Sequence, residues 1–138
     1  MEYSITINKQ SVLQSIKEIT GYTGKSSAEG VDKVMVTDDE SNIIDSLFDK
    51  SITDFLSKLS RFTPVYSETV LKIDLPKTFD QKVIPLLSKG VGDLLVNDVC
   101  ASWFFIARME EDTKMYSEMA NNSFVNVMRL LCSRMKPH

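Results

Sequence analysis

The stretch Gly21, Tyr22, Thr23, Gly24, Lys25, Ser26 carries the ending of a phosphate-binding loop, in which backbone amides cradle phosphates and the lysine and hydroxyl complete the site. That chemistry needs another glycine five residues before Gly24, where this chain has Ile19, and it needs a strand before the loop and a helix after it. Here a helical pattern precedes the motif and a Gly, Ser and Thr-rich stretch follows, so residues 21–30 read as an exposed loop without nucleotide chemistry. The single histidine is His138, which removes Ser-His-Asp and Cys-His catalysis within one chain and every site built from several histidines. Cys100 and Cys132 are too few for a disulfide framework and lack zinc-ligand spacing, so both are expected as buried thiols.

Carboxylates cluster twice, at Asp38, Asp39 and Glu40 and at Glu110, Glu111 and Asp112. Both clusters fall where a helix should begin, and negative charge there complements the helix dipole. Asp93 and Asp98 interrupt an otherwise apolar segment and are expected on its polar side or as hydrogen-bonding groups at an interface. No nucleophile and base stand at readable spacing, no metal or cofactor site emerges, and an enzyme is not expected.

The elements that would carry these residues are mostly helical. Tyr3, Ile5 and Ile7 alternate as in a short strand; Val12, Leu13, Ile16 and Ile19 then repeat at helical spacing, predicting a helix over 9–20 stopped by Gly21. Thr37 and Glu40 form a capping box, and behind it Ile44, Leu47, Phe48, Ile52, Phe55, Leu59 and Phe62 hold a helical stripe until Thr63 and Pro64 end it. Val65 to Leu75, through Thr69, Val70, Leu71 and Ile73, favours a strand or hairpin arm, whose backbone needs the N-terminal strand, Val31 to Val36 or another subunit as partner. A third helix is predicted over 80–107, with Thr78 and Gln81 as a second capping box. Pro85 requires a kink or a later start, and Gly90 and Gly92 fit a close helix crossing. A last helix over 111–133 carries Tyr116, Ala120, Phe124, Met128, Leu131 and Met135.

The fold class is therefore mainly α: a small bundle of about four helices with a short β arm. It is expected as one domain over 1–138, with residues 1–36 as an extension and 37–137 as the helical core. A net charge of −3 and a pI near 5.2 exclude a sequence-independent nucleic-acid binder, which needs an excess of Lys and Arg. No run reaches the roughly 20 apolar residues of a membrane span, and Met1 to Ser4 lacks a signal-peptide pattern, so the chain is expected to stay in the cytoplasm where it is made.

Two features point outward. Val99 to Ala107 is apolar around most of a helix, and Trp103, Phe104 and Phe105 diverge by about 100° each, so they serve either the core or a subunit interface. Arg129, Arg134 and Lys136 make the end of the last helix basic, complementing its dipole or docking on an acidic partner.

The acidic start and stripe from Asp38 to Phe62, the arm ending in Leu75 and Pro76, the long apolar helix reaching Trp103 and Phe104, and the final helix ending in Ser133 to Pro137 resemble, in that order, the head-tail connector (head-completion adaptor) proteins of tailed bacteriophages. The first strand, first helix and Gly/Ser loop are additions to the shortest members. The resemblance implies a virion protein at the head-tail junction, made in the host cytoplasm. It would form a ring with copies of itself, bind the portal protein on one side and tail or stopper proteins on the other, and let DNA pass without sequence-specific binding. Trp103, Phe104 and Phe105 would then support subunit packing, Val70 and Ile73 the exchanged arm, and Arg129, Arg134 and Lys136 partner docking. The alternative is a small helical regulatory or adaptor protein that binds a single protein partner through the same aromatic helix.

Overall fold

A computed structural model of the chain describes residues 1–26, 41–67 and 69–135. Within them lie β1 (Glu2–Thr6), α1 (Lys9–Ser26), α2 (Ser41–Lys58), β2 (Val65–Ser67), β3 (Val70–Asp74), α3 (Ile84–Ile106) and α4 (Glu110–Leu131). The protein is a mostly helical bundle with a small antiparallel sheet, as its sequence pattern predicts.

The sheet shows what the arm does. Its strand order is β1-β3-β2, so β3 is the central strand, with Ile5 opposite Leu71, Tyr3 opposite Ile73 and Tyr66 opposite Leu71. From Leu71 the alternation is regular: Leu71, Ile73 and Leu75 point inward while Lys72 and Asp74 face solvent. Of the three partners considered, the N-terminal strand is the one observed, and the chain's own β2 takes the other edge; Val31 to Val36 lie outside the described residues. Both edges of β3 are thus occupied within one chain. This corrects the arm assignment, because Ile73 is 1% exposed and Val70 half-buried in their own subunit.

The N-terminal strand and the first helix contribute to the core. Ile5 from β1, Ile7 just after it, and Val12 and Ile16 from α1 pack in the same cluster as Phe48, Phe55, Leu95 and Phe104. Asn8 starts α1 by accepting from the Ser11 amide at 3.1 Å. The helix then runs past Gly21 and Gly24 to Ser26, which corrects both its predicted end and the loop read at its start. Glycine weakens a helix without forbidding it, and extending an existing helix is cheaper than nucleating one.

α2 buries its stripe as expected, and a 3-10 turn at Ser60–Phe62 leads to Thr63, whose left-handed backbone (φ 46°) turns the chain into β2. The Thr37 and Glu40 box lies outside the described residues. The second expected box does not form: Asp80 is the capping group, accepting from the Lys82 amide at 3.1 Å in the 3-10 turn Gln81–Val83. Pro85 falls in the first turn of α3, where no intrahelical amide partner is required, so the helix starts later and is not kinked by it.

α3 is the axis of the molecule. α4 packs along it most extensively, and α1, α2 and β1 cover further sides, so its nearly continuous apolar surface is met mainly from within the chain. Gly90 marks the crossing of α3 and α4, since a Cβ there would sit 3.2 Å from Val127 Cγ2, whereas a Cβ at Gly92 would meet nothing within 4 Å. The close-packing expectation holds at Gly90 alone. Beyond α4, Met135 donates its amide to Thr78 O at 2.7 Å and Asp80 donates to Ser133 O at 3.2 Å, tying that end of the bundle shut.

Candidate functional site

The last turn of α3 is where the covering runs out. Trp103 and Phe104 are 3% and 0% exposed, and the Phe104 ring lies 5.4 Å from that of Tyr116 on α4. One and two residues later, Phe105 is 72% and Ile106 53% exposed. The step of about 100° per residue carries them off the faces that the rest of the chain protects. The assignment of all three aromatics to an interface is therefore corrected: Trp103 and Phe104 are core, and Phe105 alone of the three reaches the surface.

A Schellman motif fixes this end. Met109 donates its amide to Phe104 O at 2.9 Å and Arg108 donates to Phe105 O at 3.1 Å, with Arg108 in the left-handed region (φ 61°) usually filled by glycine. The tight turn launches α4 directly, with Glu110, Glu111 and Asp112 in its first turn as the charge pattern predicts.

Phe105 and Ile106 open into a groove over the second half of α3. Leu47 and Lys50 of α2 form one wall, Ala101 and Ser102 the floor, and Thr113 and Ser117 of α4 the other wall. Asp98 lies at its inner end, where its Oδ2 accepts from the Ser51 hydroxyl at 2.6 Å, joining α2 to α3. At the mouth, Met109 adds apolar surface and Arg108, Glu110 and Lys114 form a charged rim.

Such a surface suits protein contact better than catalysis. Ser51 faces a carboxylate without an imidazole between them, so the pair makes a structural hydrogen bond and not an activated nucleophile. The Cys100 thiol is pushed up to about 12 by burial and is protonated and inert at neutral pH. Burial, then the nearby Cys100 and Asp112, likewise raises Tyr116. Among the described residues no group of three or more His, Cys, Asp or Glu side chains is placed to hold a metal ion, and no helix is long and apolar enough to cross a membrane.

The remaining expected contact residues lie far from the groove in their roles. Arg129 donates to Asn126 Oδ1 on its own helix at 2.7 Å. Arg134 Nη1 donates to Leu131 O at 3.0 Å and Ser133 O at 2.9 Å, so it caps the end of α4, while Lys136 lies outside the described residues. Cys132 is exposed, correcting its reading as a buried thiol. Sequence reasoning missed Ile106, Met109, Lys50 and Arg108. Ile106 sat inside the apolar run already singled out; the other three carried no signal, because their proximity depends on how α2 and the α3–α4 turn are placed.

Comparison with protein-family models, with curated proteins and with solved structures finds no match to this chain. The fold and the groove define a class, a helical module with an apolar, charge-rimmed surface at the end of its central helix.

Proposed function

We propose that this chain is a structural subunit of a ring-shaped head-tail connector, which joins a portal to a tail and lets DNA pass. The observation that carries the assembly part is the exposure of Phe105 beside Ile106 at the end of a helix whose other large side chains are mostly sheltered. Aromatic residues left in solvent next to an apolar groove favour a protein partner. The connector role itself rests on the order of elements from the α2 stripe to the basic end of α4, and a net charge of −3 suits a channel wall that does not retain DNA. Copies of the chain, a portal protein and tail or stopper proteins are the proposed partners; no catalysis, cofactor or membrane contact is part of the role.

One observation favours a second reading. Because β3 is paired on both sides, it offers no strand to a neighbour, which fits a small adaptor that docks a single protein partner through the α3 end. Measuring the mass of the purified chain in solution, alone and mixed with portal protein, separates the two: the connector reading expects a multimer or a portal-bound ring. A strict monomer that ignores the portal defeats it.

A further inference from the structure

The groove at the end of α3 has a counterpart on the same molecule. Its apolar surface is edged by Lys50 and, at the turn, by Arg108 and Lys114, against Glu110 at the mouth; the deeper Asp98 is already engaged by Ser51. On α4, Met115 and Met119 are exposed large apolar side chains flanked by exposed Glu111 and Glu118, with Lys114 between the ridge and the groove. At about 100° per residue these methionines and glutamates fall on the flank of α4 turned away from Thr113 and Ser117, which line the groove. One copy therefore presents a cation-rimmed apolar groove and, on a separate face, an acid-flanked methionine ridge.

We infer that the groove receives the α4 methionine ridge of a second copy in a head-to-tail contact; this rests on the self-assembly proposed above. Methionine side chains adapt to irregular apolar surfaces, and opposite charge at the rim sets register and excludes the reversed pairing. Both faces belong to every chain and differ from each other, so each contact leaves one groove and one ridge free. Repetition then closes a ring or grows a filament and does not stop at a two-fold dimer. Phe105 supplies an anchor of about 150–250 Å², well under the roughly 800 Å² per partner of a stable interface, so the contact has to run along the groove floor as well. Arg108 fits this role: a cation is held at the rim in a backbone conformation where glycine would be less strained.

Charge reversal on each face tests the contact. The variant Lys50→Glu/Arg108→Asp makes the groove acidic, and Glu111→Arg/Glu118→Arg makes the ridge basic; circular dichroism checks that both remain folded. Sedimentation equilibrium at low ionic strength is expected to show the wild type as a multimer and each variant alone near the single-chain mass of 15.6 kDa. An equimolar mixture of the two is expected to recover the multimer, because every groove then finds a ridge of opposite charge. If the groove variant dissociates while the ridge variant does not, the groove meets a different surface and the inference is overturned. If both variants remain multimeric, the contact lies elsewhere and self-assembly survives without it. A monomeric wild type defeats both.

Discussion

Trp103 and Phe104 stand next to Phe105 and Ile106 in one helix, with similar side chains and opposite fates. The first pair is buried, Phe104 against Tyr116 of α4, and the second lies open at the groove mouth. Composition does not separate them; the reach of their neighbours does. α3 is sheltered where α1, α2, α4 and β1 run beside it, and its last turn lies where the chain reverses at Arg108 into α4. An apolar helix circumference therefore does not by itself require a partner protein. Large apolar side chains of α3 stay exposed mainly at its ends, Leu86 in the first turn and Phe105 and Ile106 in the last.

Substitutions at this boundary should give sharply different stabilities. Phe104→Ala removes a fully buried ring and is expected to cost about 3–5 kcal/mol in denaturant unfolding. Phe105→Ala, one residue on, is expected to stay within about 0.5 kcal/mol of wild type for the isolated subunit while lowering its self-association. Equal losses at the two sites would mean that Phe105 is covered in the subunit itself. Arg108→Gly relieves the left-handed residue and is expected to stabilise by roughly 1 kcal/mol, read as a higher denaturation midpoint with unchanged slope. Within the sheltered half, Gly92→Ala has open space and should gain up to about 1 kcal/mol from helix propensity. Gly90→Ala should fall short of that gain, since its methyl presses on Val127. A larger gain at Gly90 than at Gly92 would place the α3–α4 crossing elsewhere.

The thiols offer a chemical measure of the same contrast. In the native protein one cysteine, Cys132, is expected to react with a disulfide reagent at pH 8, and Cys100 to react after denaturation.

Much of the fold was legible because it rests on local rules. The α2 stripe, the stop at Thr63 and Pro64, the acidic start of α4 and the β1 alternation each follow from spacing or capping chemistry within a few residues. Errors arose where local signals compete with context. Gly21 reads as a helix stop, yet α1 continues through it; Thr78 and Gln81 spell a capping box, yet Asp80 does the capping two residues before Lys82. The candidate site was half legible. Phe105 lies in the apolar segment that the pattern marks, but which of three consecutive aromatics faces solvent depends on how the rest of the chain wraps α3. Lys50 and Arg108, more than fifty positions apart, line adjoining hollows that meet at Phe105 and Ile106 through tertiary placement alone.

The sheet order has a temporal side. β1 leaves the ribosome before any strand it can pair with, and β3 follows only after the stretch from Thr6 to Val70, roughly 3–13 s of chain growth at ordinary elongation speeds. In that interval Ile5 and Ile7 have no sheet to enter, and α1 and α2 emerge before the pairing that will hold β1 in place. Pairing at this end becomes possible only about halfway through synthesis, so the newborn chain has an early window in which chaperones can reach its first strand.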